Sequence, residues 1–174
     1  VLAWIFVLHD YQKTRVMTFL DPTRDPYGSG YNVTQAKIAV GSGQFFGRGL
    51  GFGSQSQLRF LPEAETDFIF AVIAEELGFV GVTLLFAAWL VFFWRLLMNT
   101  RLVQDDFSLF LLLGAALLLF IEFTVNIGVN LGIFPVTGIT LPFVSYGGSS
   151  LLAHCLLIWV IESIAVRGGQ GVEV

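Results

Sequence analysis

The sequence predicts an all-α polytopic membrane protein, a helical transmembrane bundle carrying one long, partly helical extracytoplasmic loop. Charged residues make up only 13% of the chain, where a soluble domain usually holds about 25%. Apolar residues, 55% of the total, gather into runs much longer than a buried strand or core helix needs. Ahead of the first complete run, residues 9–67 switch to turn-forming composition, dense in Gly and with Asp-Pro twice.

Val1 to Leu8 is apolar but too short to span, and no charged segment precedes it. It reads as the end of a truncated transmembrane helix, not a signal peptide, so the chain is expected to be the C-terminal half of a longer one. Residues 9–67 form the large extracytoplasmic loop. Complete spans are expected at Phe68–Trp94, Phe107–Phe134 and Ile139–Val166. Each holds 27 or 28 residues, roughly 40 Å as helix, enough to cross a ~30 Å hydrocarbon core with tilt. A soluble helical core would instead need three unusually long helices that are apolar on every face. Between the spans lie a cytoplasmic loop (95–106) and an external turn (135–138), and a cytoplasmic tail (167–174) follows. Arg95, Arg101 and Arg167 put their segments inside by the positive-inside rule. The long loop has six basic residues of its own, but six acids balance them and long loops obey that rule weakly.

A net charge of −4 gives no electrostatic case for nucleic acid. The lone Cys155 excludes an internal disulfide, and His9 and His154 lie too far apart in sequence to suggest a zinc site.

A loop of this length is too long for a connector, which points to function. Phe19, Leu20, Phe45, Phe46, Leu50, Phe52, Phe60 and Leu61 give it enough apolar surface to fold against the bundle. Val33–Val40 suits a short helix carrying Lys37. The stretch GSGQFFGRGLGFG matches neither the P-loop nor the dinucleotide pattern. Its glycines beside Arg48 can present backbone N–H groups to a pyrophosphate, or simply supply positive φ in a tight turn. Next, Glu63, Glu65 and Asp67 bring three carboxylates to a membrane boundary. A helical turn begun by Pro62 would set Glu63 and Asp67 on one face. Such acids suit general acid–base work or a divalent cation (Mg²⁺ or Mn²⁺), and equally they suit the positive end of the following helix.

Inside the spans, Glu75, Glu76, Glu122, Asn126 and Asn130 are expected to face the bundle interior. They make either a proton or substrate path or interhelical hydrogen bonds, the latter preferred for the two asparagines. Gly128-x-x-x-Gly132 fits close helix packing. After Pro142, the run Ser145-Tyr146-Gly147-Gly148-Ser149-Ser150 fits an anion site at a helix start or a kinked, tightly packed one.

Three blocks carry a resemblance: FLDPTRDPYGSGYNVTQAKIAVGSG, QSQLRFLPEAETDFIFAVIAEELGFVG and NIGVNLGIFPVTGITLPFVSYGGSSLL. Together, in order and over nearly the whole chain, they resemble the SEDS family (shape, elongation, division and sporulation proteins). QAKIAVGSG and SQSQL are more like the cell-elongation members than the division members. The resemblance implies a peptidoglycan glycosyltransferase of the bacterial plasma membrane, its active loop on the extracytoplasmic face. It would polymerise lipid II into glycan strands beside a class B penicillin-binding protein, the transpeptidase. The family's essential aspartate, in the block PE-x-H-T-D-F-I-F, falls on Asp67, as catalytic base or metal ligand. Here Glu65 replaces the usual His, and Arg59 stands where Glu is common. Lys37, Arg48 and Arg59 are the candidate pyrophosphate donors. Ser145, Tyr146 and Ser149 are candidate substrate contacts, and Glu63, Glu65 and Asp67 candidate ligands for Mg²⁺ or Mn²⁺. A lipid II flippase and a non-catalytic scaffold for the transpeptidase remain alternatives. The chain alone is expected to be inactive.

Overall fold

The computed structural model describes residues 10–21, 25, 28–58, 60–103 and 105–170. Val1–Leu8 and Arg59, both given expectations above, lie outside these, as do residues 171–174 of the tail. The described residues form six α-helices and no strand: α1 (Asp10–Leu20), α2 (Ser29–Ser42), α3 (Ser54–Gln57), α4 (Ile69–Asn99), α5 (Asp106–Asn130) and α6 (Gly148–Gln170). Three of them, α4, α5 and the Gly148–Val166 part of α6, are long and apolar enough to cross a membrane.

Helix α5 is bounded by local chemistry at both ends. Asp105 caps its start, accepting from the Ser108 backbone N–H and hydroxyl at 3.0 Å each. Those bonds, the backbone one foremost, hold the Asp105 carboxyl below its usual range. At the other end Ile133 N–H donates to Gly128 O and Gly132 N–H to Val129 O, with Gly132 left-handed at φ 68°. This is the Schellman closure that a glycine just past a helix permits. Gly132 therefore lies outside the helix. A Cβ at Gly128 would collide with the Phe134 ring, so this glycine makes room for the returning chain and not for a second helix. The expected small-residue packing pair is replaced by a helix stop.

Helix α4 is broken at Gly78 (φ 65°, ψ −159°). A break inside an apolar helix leaves backbone groups that lipid cannot satisfy. The glycine-rich stretch supplies the partners. Arg48 N–H donates to Glu75 O at 2.9 Å and Gly49 N–H to Glu76 O at 3.0 Å. In return, Phe79 N–H donates to Gln44 O at 2.9 Å and Val80 N–H to Phe45 O at 3.2 Å. The loop is spliced into the helix by hydrogen bonds running both ways. Side chains are too large at the splice, because a Cβ on Gly43 or Gly47 would run into the Ala74 or Glu76 carbonyl.

The third apolar run departs from expectation. Ile139–Val166 is not one helix, since helix begins only at Gly148 and residues 131–147 are irregular. Apolarity there serves burial, with Leu141 1% exposed and packed against Phe70, Phe123 and Ile127. A buried coil and a lipid-facing helix read alike in hydropathy. On the loop side, α2 lays Ala36 and Ala39 against Leu61, Phe68, Ala71 and Val129. At the far end, Leu96, Leu112, Ala115 and Ile161 join α4, α5 and α6.

Candidate functional site

Pro62 to Phe68 is a chain of turns, not the helical turn expected. Glu63 sits at φ 57°, a left-handed value that stops any helix from propagating through it. Its carbonyl accepts from Thr66 N–H and Phe68 N–H, and its carboxylate from the Thr66 hydroxyl at 3.0 Å.

The carbonyls of Glu65, Thr66 and Asp67 are each fixed from elsewhere in the fold. Tyr146 N–H donates to Glu65 O at 2.8 Å, and Ser145 Oγ to Thr66 O at 2.6 Å. Asn126 Nδ2 and Asn130 Nδ2 both donate to Asp67 O, at 3.0 and 2.9 Å. Asn130 Oδ1 then accepts the Ala71 N–H at 3.0 Å, satisfying one of the first-turn donors of α4. Asn126 also reaches Ile139 O at 2.8 Å. The asparagine pair is thus a clamp joining α5 to the start of α4 and to the returning chain. Asn130→Ala strips a fully buried clamp of its bonds and is expected to cost about 1–3 kcal/mol, read as lower thermal stability of the full-length protein in detergent.

With its backbone held, Asp67 projects a half-buried carboxylate toward the 135–138 segment; a Cβ on Gly138 would stand 3.9 Å from Oδ2. Burial first, and the negative charge of Glu63 second, push this carboxyl above the usual aspartate range, while Arg15 works against them. Arg15, on α1, donates from Nη1 to Val136 O at 2.7 Å and lies over the Tyr11 ring. Lys37, on α2, packs its ammonium end against Gly132. Arg15 and Lys37 line one pocket with Ser29, Gly30, Phe134 and Val136. The arrangement is a raised-pKa carboxylate and two cations disposed around residues 132–138.

The remaining candidates sort differently. Arg48 lies at the helix break, where its N–H bonds Glu75 O, six residues into α4 and so about 9 Å down the axis from the helix start at Ile69. It bonds Ser54 Oγ at 3.2 Å and is not grouped with Lys37. Ser145 faces the Glu65–Asp67 backbone, Tyr146 is 76% exposed, and Ser149 is exposed on the first turn of α6. Glu63, Glu65 and Asp67 do not converge: among the described residues no three His, Cys, Asp or Glu form a group able to hold a metal ion. The residues present therefore do not fit a three-carboxylate Mg²⁺ or Mn²⁺ site. Glu75, fully buried, accepts from Gln55 N–H at 3.0 Å and from Ser54 Oγ at 3.2 Å, capping α3. Glu122 pairs with His154 on α6 at 2.8 Å.

Arg15 was not among the sequence candidates. It sits in an ordinary charged stretch with no motif, and only folding brings it to residue 136. His154 carries a fainter signal, a lone histidine in a span, which needs a partner on another helix.

Fold and site together define a polytopic α-helical membrane protein in which Asp67, Arg15 and Lys37 lie where an ordered loop meets the ends of its spans. The chain belongs to the FtsW/RodA/SpoVE family of cell cycle proteins, which it matches over residues 1–169. It is 48% identical over 163 residues to the peptidoglycan glycosyltransferase MrdB of Escherichia coli K12, covering 94% of this chain and 44% of MrdB. It is 46% identical over 167 residues to the probable peptidoglycan glycosyltransferase FtsW of Coxiella burnetii, covering 94% of this chain and 45% of that protein. A chain of a solved peptidoglycan synthase complex, in which polymerization and crosslinking are coordinated, superposes with TM-score 0.74 at 34% identity, over 97% of this chain and 45% of that one. The chain thus spans less than half the length of these relatives.

Proposed function

We propose that this chain carries the base and part of the pyrophosphate site of a glycosyltransferase that polymerises lipid II into peptidoglycan during cell elongation. The observation that carries this is the Asp67 carboxylate, its backbone clamped from α5 and residues 145–146, its pKa raised, with the Arg15 charge acting on it and Lys37 lining a pocket with Arg15. The reaction joins the 4-hydroxyl of one sugar to the anomeric carbon of another and breaks that carbon's bond to pyrophosphate. Asp67 accepts the hydroxyl proton as the new C–O bond forms. A raised pKa suits the task, because a base works best when its affinity for the proton approaches the working pH. Lys37 and Arg15 stabilise the negative charge left on the departing pyrophosphate. Clamping the loop backbone holds the carboxylate where a tethered sugar arrives, which is where orientation contributes to rate. The partner in this reading is a class B penicillin-binding protein that cross-links the strands.

The test is product formation by the full-length protein with its partner, in detergent, from purified lipid II. Polymerised glycan supports the enzyme. A flippase or a scaffold yields none, having no bilayer to cross or no chemistry to perform.

The base also makes a prediction about pH. Rate is expected to fall as acid protonates Asp67, at a pH above the ordinary carboxylate range. Glu63→Gln removes a charge that raises this pKa, so the acid limb of the kcat profile should move to lower pH. Arg15→Gln removes the opposing charge, so the limb should move to higher pH. Shifts in the same direction for both variants would contradict the assignment.

A further inference from the structure

We propose that the Phe45–Phe52 loop is a membrane-seated element, inserting its aromatic side chains at the boundary between lipid headgroups and acyl chains. Phe46 is 80% exposed, Phe52 78%, Leu50 72% and Phe45 57%, a dense apolar patch on one short loop. The splice at Gly78 fixes its height on α4, since residues 44–49 bond to Glu75, Glu76, Phe79 and Val80. Below the splice, Leu77–Trp94 contains no charged residue, and Arg95 ends the stretch. Those 18 residues rise about 27 Å, close to the ~30 Å of a hydrocarbon core. Above the splice stand Glu75 and Glu76, both engaged with α3. The polar edge of the span and the loop therefore fall at one level.

The patch is continuous with the spanning face of α4. The Phe45 ring stacks on Phe79 at 5.7 Å, and Phe79, Val80, Leu84, Leu90 and Val91 carry the exposed apolar surface onward down the helix. That continuity favours lipid over a protein partner as the occupant. The backbone is prepared for it. Gly47, Arg48, Gly49 and Phe52 all donate their N–H groups within the protein, so the loop can lower its side chains into an apolar layer without stranding those donors. Arg48, exposed between the aromatics and bonded through Nη1 to Ser54 Oγ, suits a phosphate of the headgroup layer.

The experiment places nitroxide labels on the full-length protein, native cysteines replaced, in vesicles of phosphatidylethanolamine and phosphatidylglycerol, with and without the partner. Labels at Phe46→Cys and Phe52→Cys are compared with Thr34→Cys, exposed on α2, and Leu84→Cys, exposed on the span. Collision with oxygen relative to a water-soluble nickel chelate is measured. The expected ratio at residues 46 and 52 is several-fold above that at residue 34 and close to that at residue 84, with no partner present. A ratio as low as at residue 34 overturns the proposal by placing the loop in water. Exclusion of both agents also overturns it, by showing protein covering the patch. Leu50→Cys reports the same depth if a phenylalanine variant does not fold.

Discussion

Asp67→Asn in the full-length protein is expected to cut lipid II polymerisation by about 10²–10⁴-fold, the span that positioned general bases contribute. The same substitution is expected to leave thermal stability unchanged or raised. The sign follows from the pKa. Folding raises the Asp67 pKa, so the folded state holds that proton more tightly than the unfolded chain does. Stability from this group is full below the unfolded pKa and is lost as pH rises through the folded one. At neutral pH the ionised carboxylate is a burden on the fold, and a neutral amide of the same shape lifts it. Activity lost while the melting temperature holds or climbs is the mark of a functional carboxylate. If polymerisation survives, or if activity and stability fall together, Asp67 is not the base.

Gly47→Ala is expected to lower stability by about 3–5 kcal/mol, near the upper end for single substitutions. Two costs combine. Gly47 has φ 77°, where a Cβ costs roughly 1–2 kcal/mol. That Cβ would also meet the Glu76 carbonyl and the Gly78 backbone, forcing apart the hydrogen bonds of the splice. Gly51→Ala separates the two terms. Its φ is 75°, but nothing lies within 4 Å of the added carbon, so only the conformational cost of about 1–2 kcal/mol applies. Unfolding of both variants in detergent, by heat or denaturant, supplies the comparison; equal losses would mean that the splice is slack.

The spans were legible because crossing a bilayer demands long uncharged runs, and Phe68–Trp94 and Phe107–Phe134 overlap α4 and α5 closely. Ile139–Gly147 was misread for the same reason, since apolarity records avoidance of water and not the secondary structure that achieves it. Asp67 stood out through a motif. Its support did not, because Asn126 and Asn130 act on a backbone carbonyl some sixty residues earlier in the chain. Glu63 looked like a helical neighbour of Asp67, and the left-handed residue that forbids this has no side-chain signature. The glycines beside Arg48 fitted either a pyrophosphate contact or a tight turn of positive φ, and nothing local in the sequence pairs them with a helix break far along the chain, where Arg48 and Gly49 bond the Glu75 and Glu76 carbonyls.

That repair of α4 also dictates an order of assembly. A growing chain delivers residues 43–49 well before residues 75–80, so the glycine segment waits with open hydrogen-bonding groups until its template has been made. Neither half closes by itself, and the upper turns of α4 are locked only when the earlier segment returns to them. A chain stopped between residues 50 and 74 would hold every glycine of the splice but Gly78 and still be unable to form it.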